Sequence, residues 1–506
     1  VTETHISWIL LTGQYAYKLK KPLRLGFLDF STLPARKHYC EEELRLNRRL
    51  DPDLYLEVVA VCRGPERPVI GRQGPVLEYA VKMRQFPEEG LLDRVQERGE
   101  LLPAHIDALA HQIAAFHDAC EHAPAGGALG SPAVIAQTAL QNFEQIAPLL
   151  PDGADRVQLE ALRSWTESNG RALAETLRAR QRDGFVRECH GDLHLGNAFI
   201  EQGAIRLFDC IEFNPNLRWI DVMSDVAFMV MDLRHRNHPD LARRFLNAYL
   251  QHSGDYAGLD TLAYYLVYRA LVRAKVTLIR SGQPAVSQAE KAVDRAEYSR
   301  FLTLAEGFAV RPRLWIAITH GPSGSGKSHF AGRVLECCDC IRIRSDVERK
   351  RAHGLNLQAA SGSPVGVGLY AEAATRSTYA ALAAAASTVL DAGSPVIADA
   401  TFLARWQRDL FRQVARKHGL PLRILDFQAA DAVLGDRIRS RASQGGDPSE
   451  ATLEVLERQL RTAEPLQDEE LPGTVAIGGE AGPGPETVTR LMQESMDLMD
   501  FTKLDK

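Results

Sequence analysis

A glycine-rich run, Gly321–Ser328 with the sequence GPSGSGKS, places the strongest constraint on how this chain folds. It fits the pattern G-x-x-x-x-G-K-[ST] and lies between the apolar segment Trp315–Thr319 and a helical pattern, which is the strand-loop-helix setting that the motif requires. The glycines let backbone N–H groups turn toward phosphates. Lys327 is predicted to bring a positive charge to the β- and γ-phosphates, and the Ser328 hydroxyl to bind Mg²⁺. The predicted nucleotide-binding residues are Gly321, Pro322, Ser323, Gly324, Ser325, Gly326, Lys327 and Ser328.

Carboxylates follow two further apolar strands in the same region. The segment Ile341–Arg344 leads to Asp346, and the apolar segment Pro395–Asp399 ends in Asp399. Since parallel strands of such a fold end at one edge of the sheet, both carboxylates are expected beside the phosphates. Asp346 is predicted to contact the hydroxyl that accepts the phosphate, and Asp399 to order the Mg²⁺ ligands together with Ser328.

Arginines later in this region predict a lid over the phosphates. Arg437 and Arg441 are four residues apart in a helical pattern, so they share a face that closes over the transferring phosphate, with a plain solvent-facing helix as the alternative. The segment Asp447–Glu450 follows a glycine pair at 445–446 and indicates a new helix start, as a mobile lid requires. The basic run at 349–351 either holds an anionic substrate or forms a solvated helix face.

A second motif lies in the first three-fifths of the chain. The segment His190–Asn197 has the H-x-D-x-x-x-x-N spacing, and an apolar run ends at Asp209, twelve residues after Asn197. Asp192 is predicted to accept the proton of an attacking hydroxyl, while Asn197 and Asp209 hold Mg²⁺ against the phosphates. The histidine that opens the motif is predicted to brace the loop rather than to react.

Two lysines near the N-terminus are candidates for a phosphate contact. An Ala-Tyr-Lys tripeptide ends with Lys18 much as the Val-Ala-Ile-Lys strand of kinases does, and Lys20 shares its face as the alternative. The next helical pattern carries three glutamates at positions 41–43. Glu43 is favoured as the ion-pair partner because it lies on the inward leucine stripe, with a solvated acidic face as the alternative for each of the three.

The order of these patterns predicts two domains. A chain of 506 residues holds at least two cores, since single domains stop growing near roughly 250–300 residues. Strands followed by helices predict an α+β bilobal protein-kinase-like domain over residues 1–308, with a strand-rich lobe over about 1–87 and a helical lobe over about 88–308. Alternating strands and helices then predict an α/β P-loop domain with a parallel sheet over residues 309–506.

Charge and hydropathy narrow the class of protein. A formal net charge of −5 argues against a general nucleic-acid coat or an anionic-membrane binder, and no apolar run approaches the length of a membrane span. Eight scattered cysteines fit a reducing compartment, so we expect a soluble, cytoplasmic protein without a membrane partner. The first residues lack a signal-peptide pattern and an initiator Met, so the native N-terminus is expected to precede Val1.

Both regions resemble known kinase families. Residues 1–305, with HGDLHLGN, LEYAVKMRQFP and WIDVMSDVAF, resemble the aminoglycoside-phosphotransferase and choline-kinase-like family. Residues 314–470, with GPSGSGKS, IRSD, VIADATF and RIRSRASQGGDPSEA, resemble small P-loop kinases related to polynucleotide kinase, gluconate kinase and zeta toxins. The whole chain is similar to bacterial proteins that fuse two such domains. The resemblance implies phosphoryl transfer to a hydroxyl, with Asp346 at that hydroxyl and Arg437 or Arg441 in the lid.

Three functional hypotheses follow. The first is a bifunctional kinase with Mg²⁺ in each site, in which both domains move the γ-phosphate of ATP or GTP to a hydroxyl of a small molecule such as a sugar, an aminoglycoside-like compound or a nucleoside. The second makes the P-loop domain a nucleic-acid 5′-hydroxyl kinase, so that nucleic acid is a less favoured partner than a small molecule. The third is a regulator in which one domain senses nucleotide and gates the other. The oligomeric state and the identity of the acceptors are left open.

Overall fold

The computed structural model describes residues 2–4, 6–25, 28–71, 74–150, 153–283, 286–355, 371–444 and 452–478, without the side chains of residues 441–444. The glycine pair at 445–446 and the predicted helix start at Asp447–Glu450 lie outside these residues. The chain forms two compact units. The first unit comprises Val1–His238 and Thr261–Val310, and the second comprises Pro239–Asp260 and Arg311–Lys506.

Strands and helices are numbered here in chain order. The strands are β1 (Thr2–Glu3), β2 (Ser7–Leu11), β3 (Tyr15–Lys20), β4 (Arg24–Leu25), β5 (Leu28–Asp29), β6 (Tyr55–Arg63), β7 (Pro68–Ile70), β8 (Val76–Arg84), β9 (Val186–Glu188), β10 (Ala198–Glu201), β11 (Ala204–Leu207), β12 (Trp219–Asp221), β13 (Ile316–His320), β14 (Ile341–Arg344), β15 (Val396–Asp399), β16 (Leu422–Phe427) and β17 (Thr474–Ile477). The helices are α1 (Leu33–Asn47), α2 (Leu92–Glu97), α3 (Pro103–Ala119), α4 (Pro132–Ile146), α5 (Ala154–Ala172), α6 (Ala174–Arg182), α7 (Val222–His235), α8 (Pro239–Ser253), α9 (Leu259–Ser281), α10 (Gln288–Ala309), α11 (Lys327–Cys337), α12 (Ser345–Ala352), α13 (Glu372–Asp391), α14 (Arg405–Lys417), α15 (Asp431–Gln444) and α16 (Leu453–Thr462).

The first unit opens with an antiparallel sheet. Among the described residues its strand order is β1-β2-β3-β8-β6-β7, and α1 packs against β6 and β8. Because side chains alternate along a strand, Ala16, Lys18 and Lys20 of β3 all point to the buried face. Helix α1 begins where the Thr32 hydroxyl accepts a hydrogen bond from the N–H of Ala35 at 3.3 Å. The buried face therefore presents two lysines toward the acidic helix.

Beyond this sheet, the described residues of the first unit form helices and three two-stranded antiparallel ladders, β4–β5, β10–β11 and β12–β9. Helix α7 is buried along almost its whole length, although its sequence, VMSDVAFMVMDLRH, contains acidic residues. A helix that is buried on all sides needs partners for its polar side chains. The bilobal α+β arrangement agrees with the predicted fold class of the first domain.

The second unit is built on a parallel sheet. Among the described residues the strand order is β14-β15-β13-β16-β17, and each neighbouring pair is parallel. Helix α11 follows β13, the central strand, and covers a core that includes Trp315, Phe330 and Phe427. The carboxyl ends of β13, β14 and β15 therefore lie side by side at one edge, as in nucleotide-binding α/β folds. The predicted α/β P-loop domain with a parallel sheet is confirmed.

The segment Pro239–Asp260 belongs to the second unit, whereas the sequence-based division placed it in the first domain. The reason is a set of polar contacts with β14, which is the outermost strand on its side of the described sheet. Asn247 on α8 accepts from the N–H of Arg342 at 2.7 Å and donates to the carbonyl of Cys340 at 3.2 Å. In addition, the Tyr256 hydroxyl lies 2.8 Å from Glu348 Oε1. Helix α8 thus satisfies backbone groups that an unpaired strand edge leaves open.

Among the described residues, no helix combines the length and the apolar character that a membrane-spanning helix requires.

Candidate active sites in the two units

In the first unit, a lysine, a glutamate and an aspartate from three different segments meet. Lys18 Nζ lies 2.8 Å from Glu43 Oε1 and also contacts the carboxylate of Asp209. Strand β3 supplies the lysine and α1 supplies the glutamate, which is fully buried. Lys18 therefore contacts both of the acidic residues that were predicted from separate motifs.

Lys20 takes a different position from Lys18 on the same face. Its Nζ lies 2.7 Å from Glu43 Oε2 and contacts Glu212, and its side chain is fully buried. Burial by itself would raise the pKa of Glu43, but the two lysine charges outweigh it and lower that pKa to about 2. Because Lys18 contacts the predicted metal residue Asp209 and Lys20 contacts the buried Glu212, the geometry favours Lys18 as the lysine that faces the nucleotide.

The other two glutamates of the predicted set point elsewhere. Glu41 forms an exposed pair with Lys37 at 3.5 Å. Glu42 lies 2.9 Å from Arg45 and 3.3 Å from Arg218. Glu41 thus fits the solvated alternative, Glu42 is partly buried between two arginines, and Glu43 alone of the three contacts Lys18 and Lys20.

The catalytic-loop motif folds so that its aspartate and asparagine touch. Asn197 Nδ2 donates to the backbone carbonyl of Asp192 at 2.9 Å and to Asp192 Oδ2 at 3.1 Å. His194 Nε2 lies 3.5 Å from the same carboxylate oxygen. Burial works to raise the pKa of Asp192, but His194 and, more weakly, Arg273 and His190 hold it well below its usual value. Asp192 is thus a carboxylate at neutral pH, as a proton acceptor requires.

Asp209 has an unusual backbone. Its φ is +68°, a left-handed conformation that residues other than glycine rarely adopt, and its N–H donates to the buried Tyr55 hydroxyl at 3.1 Å. The preceding Phe208 is bonded through its N–H to Asn197 (3.1 Å) and through its carbonyl to His190 Nε2 (2.8 Å). A strained backbone conformation of this kind is kept only where the surrounding contacts hold it in place. The bond from His190 to the Phe208 carbonyl agrees with the predicted bracing role of His190.

Two residues that the sequence analysis missed support this loop from α7. Asp225 accepts from the N–H groups of His190 at 2.8 Å and Gly191 at 2.9 Å, and Asp232 accepts from the N–H of Leu195 at 3.0 Å. Seven residues separate the two aspartates, so they lie on one face of the helix. Two acids at heptad spacing in an otherwise apolar helix were the signal that could have identified them.

In the second unit, the glycine-rich run forms the expected tight loop. Gly321, Gly324 and Gly326 have φ values of +135°, +84° and +99°. A Cβ at Gly321 would lie 2.6 Å from the carbonyl oxygen of Phe427, and one at Gly324 would lie 2.8 Å from that of Leu434. At these two positions both the conformation and the space require glycine.

The two predicted metal ligands of the second unit are adjacent. Ser328 Oγ, in the first turn of α11, donates to Asp399 Oδ1 at 3.2 Å, and Asp399 ends β15. Asp399 Oδ2 is buried and makes no hydrogen bond among the described residues, with Arg344 Nε 3.6 Å away. Lys327 Nζ lies 2.5 Å from the carbonyl of Pro322 and 3.2 Å from Ser325 Oγ, so the lysine is folded onto its own loop.

A cavity of about 980 Å³ collects most of the predicted residues of the second unit. It is lined by Ser323 through Ser328 and by Asp346, Asp399 and Arg437, whereas Gly321 and Pro322 shape the turn without lining it. Arg437 Nη1 donates to the carbonyl of Gly324 at 3.3 Å. Arg441 lies on the same helix, α15, but its side chain is outside the described part of the chain.

Comparison with known proteins agrees with this geometry. Residues 32–262 match the family described as phosphotransferase enzyme family, and residues 316–466 match the family described as AAA domain. Two different family models thus match two successive regions of the chain. The chain is a kinase. From here on, the two compact units are called the phosphotransferase unit and the AAA unit.

Some relatives of the kinase align with it over most of both chains. The uncharacterized protein Rv2004c of Mycobacterium tuberculosis (strain ATCC 25618 / H37Rv) is 29% identical over 462 residues, which cover 90% of this chain and 88% of the relative. Among solved structures, the amicoumacin kinase hAmiN in complex with AMP-PNP, Ca²⁺ and Ami is similar with 12% identity and a TM-score of 0.37, covering 60% of this chain and 89% of that one. A sugar kinase from Janibacter sp. HTCC2649 is similar with 21% identity and a TM-score of 0.28, covering 37% of this chain and 96% of that one.

The donor atoms in both units suit a hard divalent cation. Kinase families of this type generally use ATP with Mg²⁺, an ion that prefers oxygen ligands. In the AAA unit, Ser328 Oγ and the buried Asp399 carboxylate supply such oxygens. In the phosphotransferase unit, Asn197 makes its hydrogen bonds through Nδ2, so its carbonyl oxygen and the Asp209 carboxylate are the matching pair.

Proposed function

We propose that this kinase is bifunctional, and that each unit transfers the γ-phosphate of ATP or GTP to a hydroxyl group of a small molecule. The observation that carries the proposal is that each unit holds its own set of reactive groups. One set is Lys18, Asp192, Asn197 and Asp209 in the phosphotransferase unit. The other is Lys327, Ser328, Asp346 and Asp399 around the cavity of the AAA unit.

In the phosphotransferase unit, Asp192 is the proposed proton acceptor. Its lowered pKa keeps it ionised at neutral pH, and its contact with Asn197 fixes the orientation of the carboxylate. Lys18 is held between Glu43 and Asp209, where it can hold the α- and β-phosphates of a nucleotide. Mg²⁺, when bound by Asn197 and Asp209, would neutralise phosphate charge.

In the AAA unit, the P-loop amides and the first turn of α11 are the proposed phosphate cradle. Lys327 contacts the carbonyl of Pro322 and the hydroxyl of Ser325 within the loop, and from there it can turn to the phosphates. Asp346 lies on the cavity wall with Asp399 and is the proposed contact for the accepting hydroxyl. Arg437 reaches the loop from α15 and can stabilise the charge that develops during transfer.

A second candidate function applies to the AAA unit alone. Arg342, Arg344 and Arg349 line its cavity, which is the basic lining that a nucleic-acid 5′-hydroxyl kinase requires. Binding of an oligonucleotide would release counterions, so its affinity would fall steeply with salt. A small acceptor with one anionic group would show a much shallower dependence.

The test is phosphate transfer from γ-labelled ATP and GTP to a panel of sugars, aminoglycosides, nucleosides and 5′-hydroxyl oligonucleotides. Wild type is compared with Asp192→Asn and Lys327→Ala, after thermal unfolding shows that both variants fold. A product lost in only one variant assigns its acceptor to that unit. Loss of every product in either variant contradicts two independent sites, and nucleotide hydrolysis without any labelled acceptor favours the regulator.

A further inference from the structure

The cavity of the AAA unit is more cationic than a nucleotide alone explains. Its lining includes six lysine and arginine side chains but three acidic ones. The cationic residues are Lys327, Arg342, Arg344, Arg349, Arg437 and Arg458. Lys327 and Arg437 contact the P-loop itself, so they are placed to meet the nucleotide phosphates. Arg342, Arg344 and Arg349 instead come from β14 and α12, the elements that carry Asp346.

Strand geometry directs two of these arginines to the same place. Ile341 and Ile343 of β14 are buried in the sheet, so Arg342 and Arg344 project together from its other face. Arg342 Nη1 donates to the backbone carbonyl of Ser328 at 3.2 Å, which puts the guanidinium beside the start of α11. Arg344 pairs in register with Asp399 across the β14–β15 ladder. Both guanidinium groups therefore lie at the carboxyl edge of the sheet.

The charge of Arg342 is poorly compensated. Its Nε is buried and makes no hydrogen bond among the described residues. Arg344 is its neighbour on the same face of β14, and the Asp399 carboxylate, 3.6 Å from Arg344 Nε, offsets part of their combined positive charge. The cavity thus has the charge arrangement of an anion site that a ligand completes.

Arg349 connects this anion site to the proposed reactive carboxylate. It lies one helical turn after Asp346, and its Nη1 is 3.2 Å from Asp346 Oδ1. An anionic group that binds Arg349 competes with Asp346 for the guanidinium and leaves the carboxylate to contact a hydroxyl of the same molecule. A neutral alcohol has no group that could make this exchange.

We propose that the acceptor of the AAA unit is an alcohol that already carries a phosphate monoester, and that Arg342, Arg344 and Arg349 bind that phosphate while Asp346 contacts the hydroxyl. The inference rests on the kinase function proposed above for this unit. Each planar guanidinium group can donate two hydrogen bonds to a pair of phosphate oxygens. Three arginines therefore match a phosphate dianion better than a single carboxylate.

The reaction balances without any further reagent. A bond forms between the acceptor oxygen and the γ-phosphorus, and the bond between that phosphorus and the β–γ bridging oxygen breaks. The hydroxyl proton goes to Asp346, the nucleoside diphosphate leaves, and the product carries two phosphate groups. The class of reaction that supplies such an acceptor is the phosphorylation of an alcohol, which is the reaction proposed for the phosphotransferase unit.

The experiment uses the full chain carrying Asp192→Asn, so that only the AAA unit can react. Acceptors are tested in matched sets that comprise a polyol or nucleoside, its phosphate monoester and its carboxylic acid, and kcat/KM is measured for each. We expect the phosphate monoester to be preferred over the neutral alcohol by about 100-fold or more, from charge-assisted hydrogen bonds to arginine. Arg349→Gln should remove about 10- to 100-fold of this preference, mainly through a higher KM for the phosphate monoester.

Controls separate this inference from the proposed function. Arg416→Gln changes an exposed arginine on α14 that does not line the cavity, and it should match the parent. Equal use of neutral and phosphorylated acceptors, preference for the carboxylic acid, or preference for an oligonucleotide with a steep salt dependence would overturn the inference while leaving a kinase. Nucleotide binding without transfer to any acceptor would overturn the proposed function of this unit instead.

The order of the two steps has its own readout. Wild-type protein given a neutral diol and ATP should form the doubly phosphorylated product. Lys327→Ala should stop at the monoester, and Asp192→Asn should convert the added monoester about 100-fold faster than the diol. Formation of the doubly phosphorylated product from the diol by Asp192→Asn at the wild-type rate would contradict this order.

Discussion

Asp225 Oδ2 accepts a hydrogen bond of 2.8 Å from the backbone N–H of His190, and the Oδ1 atom of the same carboxylate accepts one of 2.9 Å from the N–H of Gly191. One buried side chain of α7 therefore holds the start of the catalytic loop by its backbone. The backbone of the motif is therefore held by α7, a helix that begins only at Val222.

Replacing Asp225 with alanine should damage both stability and activity. Two buried N–H groups would lose their acceptor, which costs about 2–4 kcal/mol of unfolding free energy. Transfer by the phosphotransferase unit should fall by about 100-fold or more, because Asp192 follows directly in the loop. Urea unfolding and kcat measure the two effects, and Glu306→Ala on an exposed face of α10 serves as the control. Unchanged kcat in a folded Asp225→Ala variant would contradict this role.

Lys18 and Lys20 should respond differently to substitution. Lys18→Met removes the lysine that contacts Asp209, so KM for nucleotide should rise and kcat fall, together by about 100-fold in kcat/KM. Lys20→Met leaves Glu43 and Glu212 buried without their shared cation, so the main effect should be a loss of about 3–5 kcal/mol of stability. Thermal unfolding and nucleotide titration distinguish the two. Nucleotide binding that depends on Lys20 rather than on Lys18 would reverse the assignment.

The pH profile of the phosphotransferase unit should depend on His194. His194 is the main group that holds the pKa of Asp192 below its usual value, against the opposing effect of burial. A base with a lowered pKa stays ionised to more acidic pH. Protonation of Asp192 therefore limits activity only at pH values near or below that lowered pKa. His194→Asn should raise the pKa of Asp192 and move the acidic limb of kcat/KM to higher pH. An acidic limb that does not move would show that another group sets it.

Glycine substitutions test the shape of the P-loop. Gly324→Ala combines a φ of +84° with a Cβ only 2.8 Å from a backbone oxygen, so nucleotide binding by the AAA unit should be lost. Gly393→Ala is the matched control, since its φ is +79° but nothing lies within 4 Å of the added Cβ. The control should cost only the left-handed strain of about 1–2 kcal/mol and keep nucleotide binding. Equal loss of binding in both variants would count against the loop geometry.

Asn247→Leu tests whether α8 supports the AAA unit. The substitution leaves the N–H of Arg342 and the carbonyl of Cys340 without a partner, so unfolding free energy should fall by about 2–4 kcal/mol. Hydrogen exchange should show the loss of protection at β14. Asn216→Leu, in an exposed turn, is the control. Unchanged protection of β14 in Asn247→Leu would show that α8 is dispensable for that strand.

Residue spacing was enough to find the parts of both sites that are local in sequence. The P-loop, the pair Asp192 and Asn197, and the strand that ends at Asp399 each follow from a short pattern with a defined backbone. The fold class followed for the same reason, because hydrophobic periodicity identifies strands and helices and their order identifies the architecture. The catalytic roles of these residues stay predictions that the variants above can test.

Contacts between distant segments required the folded chain. Lys18 and Lys20 face the same side of β3, so alternation alone could not separate them, and their positions differ because Asp209 and Glu212 approach from another part of the chain. The support from Asp225, the attachment of α8 to β14 and the gathering of three arginines beside Asp346 have the same origin. The spacing of residues along the sequence specifies which helix or strand a residue belongs to. The partner of a buried charged side chain depends instead on which distant segments of the chain pack against it.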